Sequence, residues 1–267
     1  MVFHDKKRAA LLNKQLHAIE RQEAKLKEAA FNTKASGLKY GLEAKIPAKV
    51  YMGLESAFCK GFSLVFSQGR SVIEKSYKRE SIKADHEVRD FALQKKGGRK
   101  EYRSIKKSAG HASAINLTLT SVEGIALGAL GIGMPDVVLF LSTLFKGVFE
   151  TALNYGFDYV SKSEQYLILK MMQTALSTGE SWEALNCQVD VLFSSDAIEL
   201  SDKEFKDQLN LTAASFAADM LLLKFVQGLP IIGVIGGAAN PIYYNKIMKY
   251  INLKYRKHYL LKLKNKT

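Results

Sequence analysis

Between Phe225 and Asn245 the chain runs for 21 residues without a charged side chain, interrupted by Gly228, Gly233, Gly236, Gly237, Pro230 and Pro241. A straight helix of that length extends about 31 Å, close to the roughly 30 Å hydrocarbon thickness of a bilayer. The glycines and prolines exclude one straight helix, because each proline removes a backbone donor and clashes with the preceding turn. In lipid the freed backbone groups would need partners inside the protein. The stretch therefore reads as two short packed helices, and the lysine-rich tail that follows it points to a membrane surface.

The rest of the pattern is helical. Residues 5–30 place Leu12, Ile19 and Leu26 seven apart with Leu16 beside them, a thin apolar stripe. Glu23 sits on that stripe and the run is too short for a coiled coil, so a helix docked on the body or on a partner is expected. Asn32–Gly37 reads as a break. After Pro47, the residues Val50, Leu54, Ala57, Phe58, Gly61, Phe62, Val65 and Phe66 form a wide apolar face at helical spacing. Ile115–Leu130 mixes small residues with large aliphatics, and Glu123 and Asp136 limit its uncharged run to twelve residues, too short to span. Met134-Pro-Asp136 turns into a second apolar helix over 137–153. Ser201-Asp-Lys-Glu204 is a capping box for a helix to about Phe225, with Leu211, Ala214, Ala218, Leu221 and Leu222 facing inward. No alternating strand set competes. The expected class is all-α: a single bundle of about eight to ten helices with glycine/proline-broken apolar hairpins. Gly131, Gly133, Pro135, Gly228, Pro230, Gly233, Gly236, Gly237 and Asn240 are its helix-packing motif; lacking a preceding strand, the glycines of 233–237 suit close packing better than a phosphate cradle.

Charge is unevenly placed. The net charge of +13 divides into +13 over residues 1–110, −8 over 111–245 and +8 over 246–267. Either the basic ends face an anionic partner, or they pair with the acidic middle inside the molecule. On a helical wheel Tyr244, Ile247, Met248, Ile251 and Tyr255 share one arc, with Lys246, Lys249, Arg256, Lys257 and Lys264 opposite. Such a basic amphipathic helix with interfacial tyrosines suits anionic headgroups; its alternative is an ordinary bundle helix. Lys95, Lys96, Arg99, Lys100, Arg103, Lys106 and Lys107 form a second basic segment around Gly97-Gly98.

No catalytic motif stands out. A nucleophile elbow, zincin helix and Walker loop are all missing, and the histidines at 4, 17, 86, 111 and 258 are scattered. Asp85-His-Glu87 reads as a solvated charged stretch and His111 as a core or interface histidine. Cys59 and Cys187 lie in apolar surroundings without metal-ligand spacing, so buried free thiols in a reducing compartment are expected. The N-terminus shows no secretory pattern and neither end shows a lipidation box, so a cytoplasmic protein is expected.

Leu229-Pro-Ile-Ile-Gly-Val-Ile-Gly-Gly-Ala-Ala-Asn240, with Tyr243, Tyr244 and Tyr255-Arg-Lys-His258, resembles the signature of the EcsC family. Gly124-Ile-Ala-Leu-Gly-Ala-Leu-Gly-Ile-Gly-Met-Pro-Asp136, and Tyr155-Gly-Phe-Asp158 ahead of a helix with Glu164, are similar to the family's middle section. The resemblance spans about residues 38–264, leaving 1–37 as a variable N-terminal amphipathic helix and 38–267 as the EcsC-like domain with its basic C-terminal helix. The family, named for a protein encoded beside the two parts of an ABC exporter, has no established activity. Without a nucleotide-binding cassette or a set of spans, no transport role follows.

The expectation is a non-catalytic protein at the cytoplasmic face of a membrane, binding anionic lipid and accessory to a membrane-protein complex where one is present. The expected contacts are Lys95, Lys96, Arg99, Lys100, Arg103, Lys246, Lys249, Arg256 and Lys257, with no metal and no cofactor. The alternatives are a lipid or apolar-ligand carrier, with a pocket between 130–144 and 229–239, and a soluble partner- or polyanion-binding module. Nucleic acid is disfavoured, since no recognition fold is visible and apolar hairpins have no use on a duplex.

Overall fold

The computed structural model describes residues 2–32, 47–112, 135–193, 199–226 and 239–265, and every regular element among them is helical. Helix α1 spans Val2–Phe31. Helix α2 (Ala48–Leu64) starts behind Pro47 and runs through a wide π turn (Val65–Gly69) into α3 (Arg70–Glu74). Helices α4 (Arg79–Lys96) and α5 (Arg99–Ala112) form a hairpin. Its corner is Gly97, whose φ of 59° a residue with a Cβ rarely adopts and whose amide closes on the Leu93 carbonyl at 2.8 Å. The chain continues through α6 (Pro135–Asn154), α7 (Lys162–Leu176), α8 (Gly179–Leu192), α9 (Asp202–Val226) and α10 (Ala239–Asn265). This is the all-α bundle that the apolar periodicities imply.

Helices α6, α7 and α10 hold the centre, with α1, α5 and α9 also against α10. The apolar arc of α10 lies inward as its spacing requires: Tyr244, Ile247, Met248, Ile251 and Tyr255 are all buried. The apolar face of α2 is also inward, with Leu54, Ala57, Phe58, Gly61 and Phe62 buried. Phe58, Phe62, Phe145 and Phe216 meet with ring centroids 5.1–6.1 Å apart, and such pairs contribute roughly 0.5–1.5 kcal/mol each beyond area burial. Among the described residues one window, Val137–Asn154 of α6, is long and apolar enough to cross a membrane, and 78% of it is buried inside the protein.

The capping box at α9 forms both of its bonds: the Ser201 amide donates to Glu204 Oε2 (2.9 Å) and the Glu204 amide to Ser201 Oγ (3.2 Å). The expected inward face of α9 needs correcting. Leu211 is 52% exposed, while Leu209, Ala213, Phe216, Ala217 and Met220 are buried beside Leu221 and Leu222. The run Ala213-Ala-Ser-Phe-Ala-Ala218 puts small residues on every side of the helix, so periodicity alone leaves its phase open. Polar groups fix it: Gln208 Nε2 donates to Gln173 Oε1 (2.9 Å) and Thr212 Oγ1 to the Leu169 carbonyl (3.2 Å), both on α7.

Helix α1 docks on the body, antiparallel to α10. Leu12 and Ile19 are buried, and Arg8 Nη2 donates to the Leu263 carbonyl at 3.1 Å. Glu23, the charge on the apolar stripe, is the docking ion. It meets Lys254 Nζ at 2.5 Å and Lys257 Nζ at 2.8 Å, while Asp190 of α8 meets the same amines at 2.6 and 2.8 Å. Two cations and two carboxylates thus close a neutral square between three helices. Lys254 is 0% exposed and also lies over the Tyr250 ring. Burial opposes the charge on Lys257, but Asp190 and Glu23 outweigh it and raise its pKa.

Removing one partner strands buried charge, which costs about 3–5 kcal/mol. Lys254→Met is therefore expected to lower Tm by roughly 10 °C, and Lys249→Met, at an exposed site, by less than about 2 °C. Calorimetry showing equal Tm for both variants would remove the square from the account of stability.

Candidate functional site

On α5 the buried residues Tyr102, Ile105 and Ala109 define one face. At 100° per residue, Arg99, Lys100, Arg103, Lys106 and Lys107 occupy an opposite arc about 120° wide. Lys95 and Lys96 end α4 just before the Gly97 corner, where the helix dipole favours cations. All seven side chains belong to exposed residues, and none has a carboxylate partner among the described residues. The pKa of Lys106 is lowered by partial burial and by the neighbouring charges of Arg256 and Arg103. On α4, Val88 (69%) and Phe91 (62%) are unusually exposed, and Lys95 Nζ sits 5.6 Å from the centroid of Phe91. The sequence reading passed over these two. Their signal was two large apolar residues in an otherwise polar helix, off the register of buried Leu93.

The tail divides differently from its helical wheel. Lys246 pairs with Asp219 of α9 at 2.9 Å, and Lys257 is held in the ion square. Arg256 is 5% exposed and donates through Nη2 to Gln22 Oε1 of α1 at 2.7 Å. Only Lys249 of these four is both exposed and without a carboxylate partner among the described residues. The expectation of a free basic face on α10 is thus corrected, because α1 and α8 cover that side. In the packing motif, Pro135 opens α6 and Asn240 is the second residue of α10. Gly131, Gly133, Gly228, Pro230, Gly233, Gly236 and Gly237 lie outside the described residues, as does most of the carrier pocket.

Tyr155-Gly-Phe-Asp158 and the tail's Tyr255–His258 meet in one structural junction. Gly156 has φ 77° and a Cβ there would run into the His86 ring. Phe157 stacks on His258 at 4.2 Å, and Phe193 stacks on the same imidazole at 4.4 Å. Burial, with Lys262 nearby, pushes the pKa of His258 down to about 4. Asp158 pairs with Arg79 (2.9 Å) and Lys83 (2.8 Å). Tyr255 donates to Glu164 Oε1 at 2.7 Å; burial raises the pKa of Glu164 to about 7 despite that hydrogen bond.

Three local expectations change. His86 is half-buried, with Nδ1 2.9 Å from the Asn154 carbonyl, whereas Asp85 and Glu87 are solvated; sequence alone does not reveal the glycine that admits the ring. His111 is exposed at the end of α5. Cys187 is exposed and Cys59 half-buried, both as free thiols. Among the described residues no three His, Cys, Asp or Glu side chains gather as a metal site.

A family model described as "EcsC protein family" matches residues 13–260, and the chain belongs to that family. The match begins inside α1, so most of the helix read as a variable extension lies within it. No curated protein and no solved structure matches the chain.

A carboxyl group with a raised pKa in the fold contributes full stability below its unfolded pKa of about 4.3, and loses it as pH rises through the folded value. Glu164→Gln is therefore expected to gain on the wild type by roughly 1–3 kcal/mol between pH 5 and pH 8. Denaturant melts showing a pH-independent difference would contradict a buried, titrating Glu164.

Proposed function

We propose that this member of the EcsC family is a non-catalytic, peripheral protein of anionic membrane surfaces, held there by the basic edge of the α4–α5 hairpin. The observation that carries this reading is the set of seven exposed cations from Lys95 to Lys107, none with a carboxylate partner among the described residues. Each Lys or Arg near an anionic leaflet contributes on the order of 1 kcal/mol, and the attraction fades over a Debye length of about 8 Å at physiological salt. Exposed Phe91 and Val88 add an apolar contact that hydrocarbon accepts and water does not. That apolar pair favours lipid over a nucleic-acid duplex. The cytoplasmic leaflet, with its anionic lipids, is the surface such an edge fits. Of the four tail cations Lys246, Lys249, Arg256 and Lys257, it is Lys249, exposed and without a carboxylate partner among the described residues, that joins this surface set.

Flotation with phosphatidylcholine vesicles, with and without phosphatidylglycerol, tests the reading. Binding is expected only with phosphatidylglycerol and is expected to weaken with salt. Replacing Lys95, Lys96, Lys100 and Arg103 by Gln should reduce it at least ~10-fold at unchanged Tm. Equal binding by the variant, or binding to duplex DNA as tight as to vesicles, would sink the lipid reading.

A further inference from the structure

A cleft of about 460 Å³ opens between α1, α5 and α10. Lys106 and Gly110 line it from α5, Lys249, Asn252 and Arg256 from α10, and Gln22 from α1. Three of these side chains are cations, and none of the three is paired with a carboxylate among the described residues. Acids on neighbouring helices are engaged by other cations: Glu23 of α1 and Asp190 of α8 by Lys254 and Lys257, and Asp219 of α9 by Lys246.

Arg256 makes this more than a patch of surface charge. Its guanidinium is buried, and among the described residues its one hydrogen-bonded contact is the neutral amide of Gln22 and its buried Nε has no acceptor. Buried charges are ordinarily paired and buried donors ordinarily satisfied, because leaving either unmet is costly. The hydroxyl of Tyr102 on α5, also buried and without a partner among the described residues, lies within electrostatic reach of Arg256. Lys106 is depressed by its own partial burial and by Arg256 and Arg103, which is the condition that an arriving anion relieves.

We infer that this cleft binds one phosphate-bearing group, with Arg256 at its floor and Lys106 and Lys249 at its rim. A phosphate supplies the several acceptor oxygens and multiple negative charge that a guanidinium and two ammonium groups can meet together. The cleft volume suits a phosphate on a small alcohol, and falls within the range of small-ligand sites. The site is distinct from the membrane edge: Lys95, Lys96, Lys100 and Arg103 are not among its lining residues, and Lys106 and Lys249 serve both.

Thermal melts of the full chain in sodium phosphate against sodium chloride of equal ionic strength test the site. Phosphate at ~100 times its Kd should raise Tm by roughly 5 °C. The rise should vanish in Lys106→Ala/Lys249→Ala, whose rim positions avoid the folding risk of replacing buried Arg256. It should also shrink in Gly110→Leu, because a side chain at Gly110 meets open space and fills the cleft without removing charge. Lys95→Gln/Lys96→Gln should keep it. Phosphatidic acid vesicles that abolish the effect of added phosphate would identify a lipid headgroup as the ligand; vesicles without influence would identify a soluble phosphate compound. Either result supports the site. No Tm rise in the wild type, or the same rise in all three cleft and edge variants, overturns it, whether or not the protein floats with anionic vesicles.

Discussion

The fully buried ammonium of Lys254 is the constraint on which the rest of the architecture depends. An uncompensated charge at that depth is prohibitive, so α10 is stable in the core only where α1 delivers Glu23 and α8 delivers Asp190. The same two carboxylates take up Lys257. This one square therefore ties three helices together, docks the N-terminal helix on the body and neutralises two of the tail's eight cations internally. The family match that begins at residue 13 is consistent with an α1 that belongs to the body.

What the square leaves over defines the surface. The acidic middle of the chain pairs with the tail through Asp190 and Asp219, so the pairing of ends with middle, weighed as the rival of membrane contact, holds for α10. It also reaches the start of α4, where Arg79 and Lys83 pair with Asp158, but not the cations around the Gly97 corner. There the Gly97 corner and the narrow buried face of α5 push seven cations outward together. The overall charge of +13 thus separates into a structural part, paired inside the fold, and an exposed part that includes the hairpin edge and the rim of the adjoining cleft.

Much of the fold was legible in sequence where one physical requirement dominates. The apolar arc of α10, the aromatic face of α2 and the Ser201–Glu204 box follow from helical spacing and capping, which are local. Most of the failures are non-local. Leu211 points outward because Gln208 and Thr212 find acceptors on α7. His86 is half-buried because Gly156 makes room for it, and Arg256 and Lys257 are covered because α1 returns across the polar side of α10. A wheel drawn for one helix holds no information about which charges another helix will bring to it. Glu23 was the visible clue: a lone acid on a docking stripe asks for a buried cation.

Lysine acylation footprinting, read by mass spectrometry with and without phosphatidylglycerol vesicles, tests the division of charge most directly. The account predicts that Lys95, Lys96, Lys100 and Lys107 react quickly in free protein and are protected by the vesicles, while Lys254 and Lys257 react slowly in both states. Fast reaction at Lys254 and Lys257, or vesicle protection confined to the tail, would contradict it.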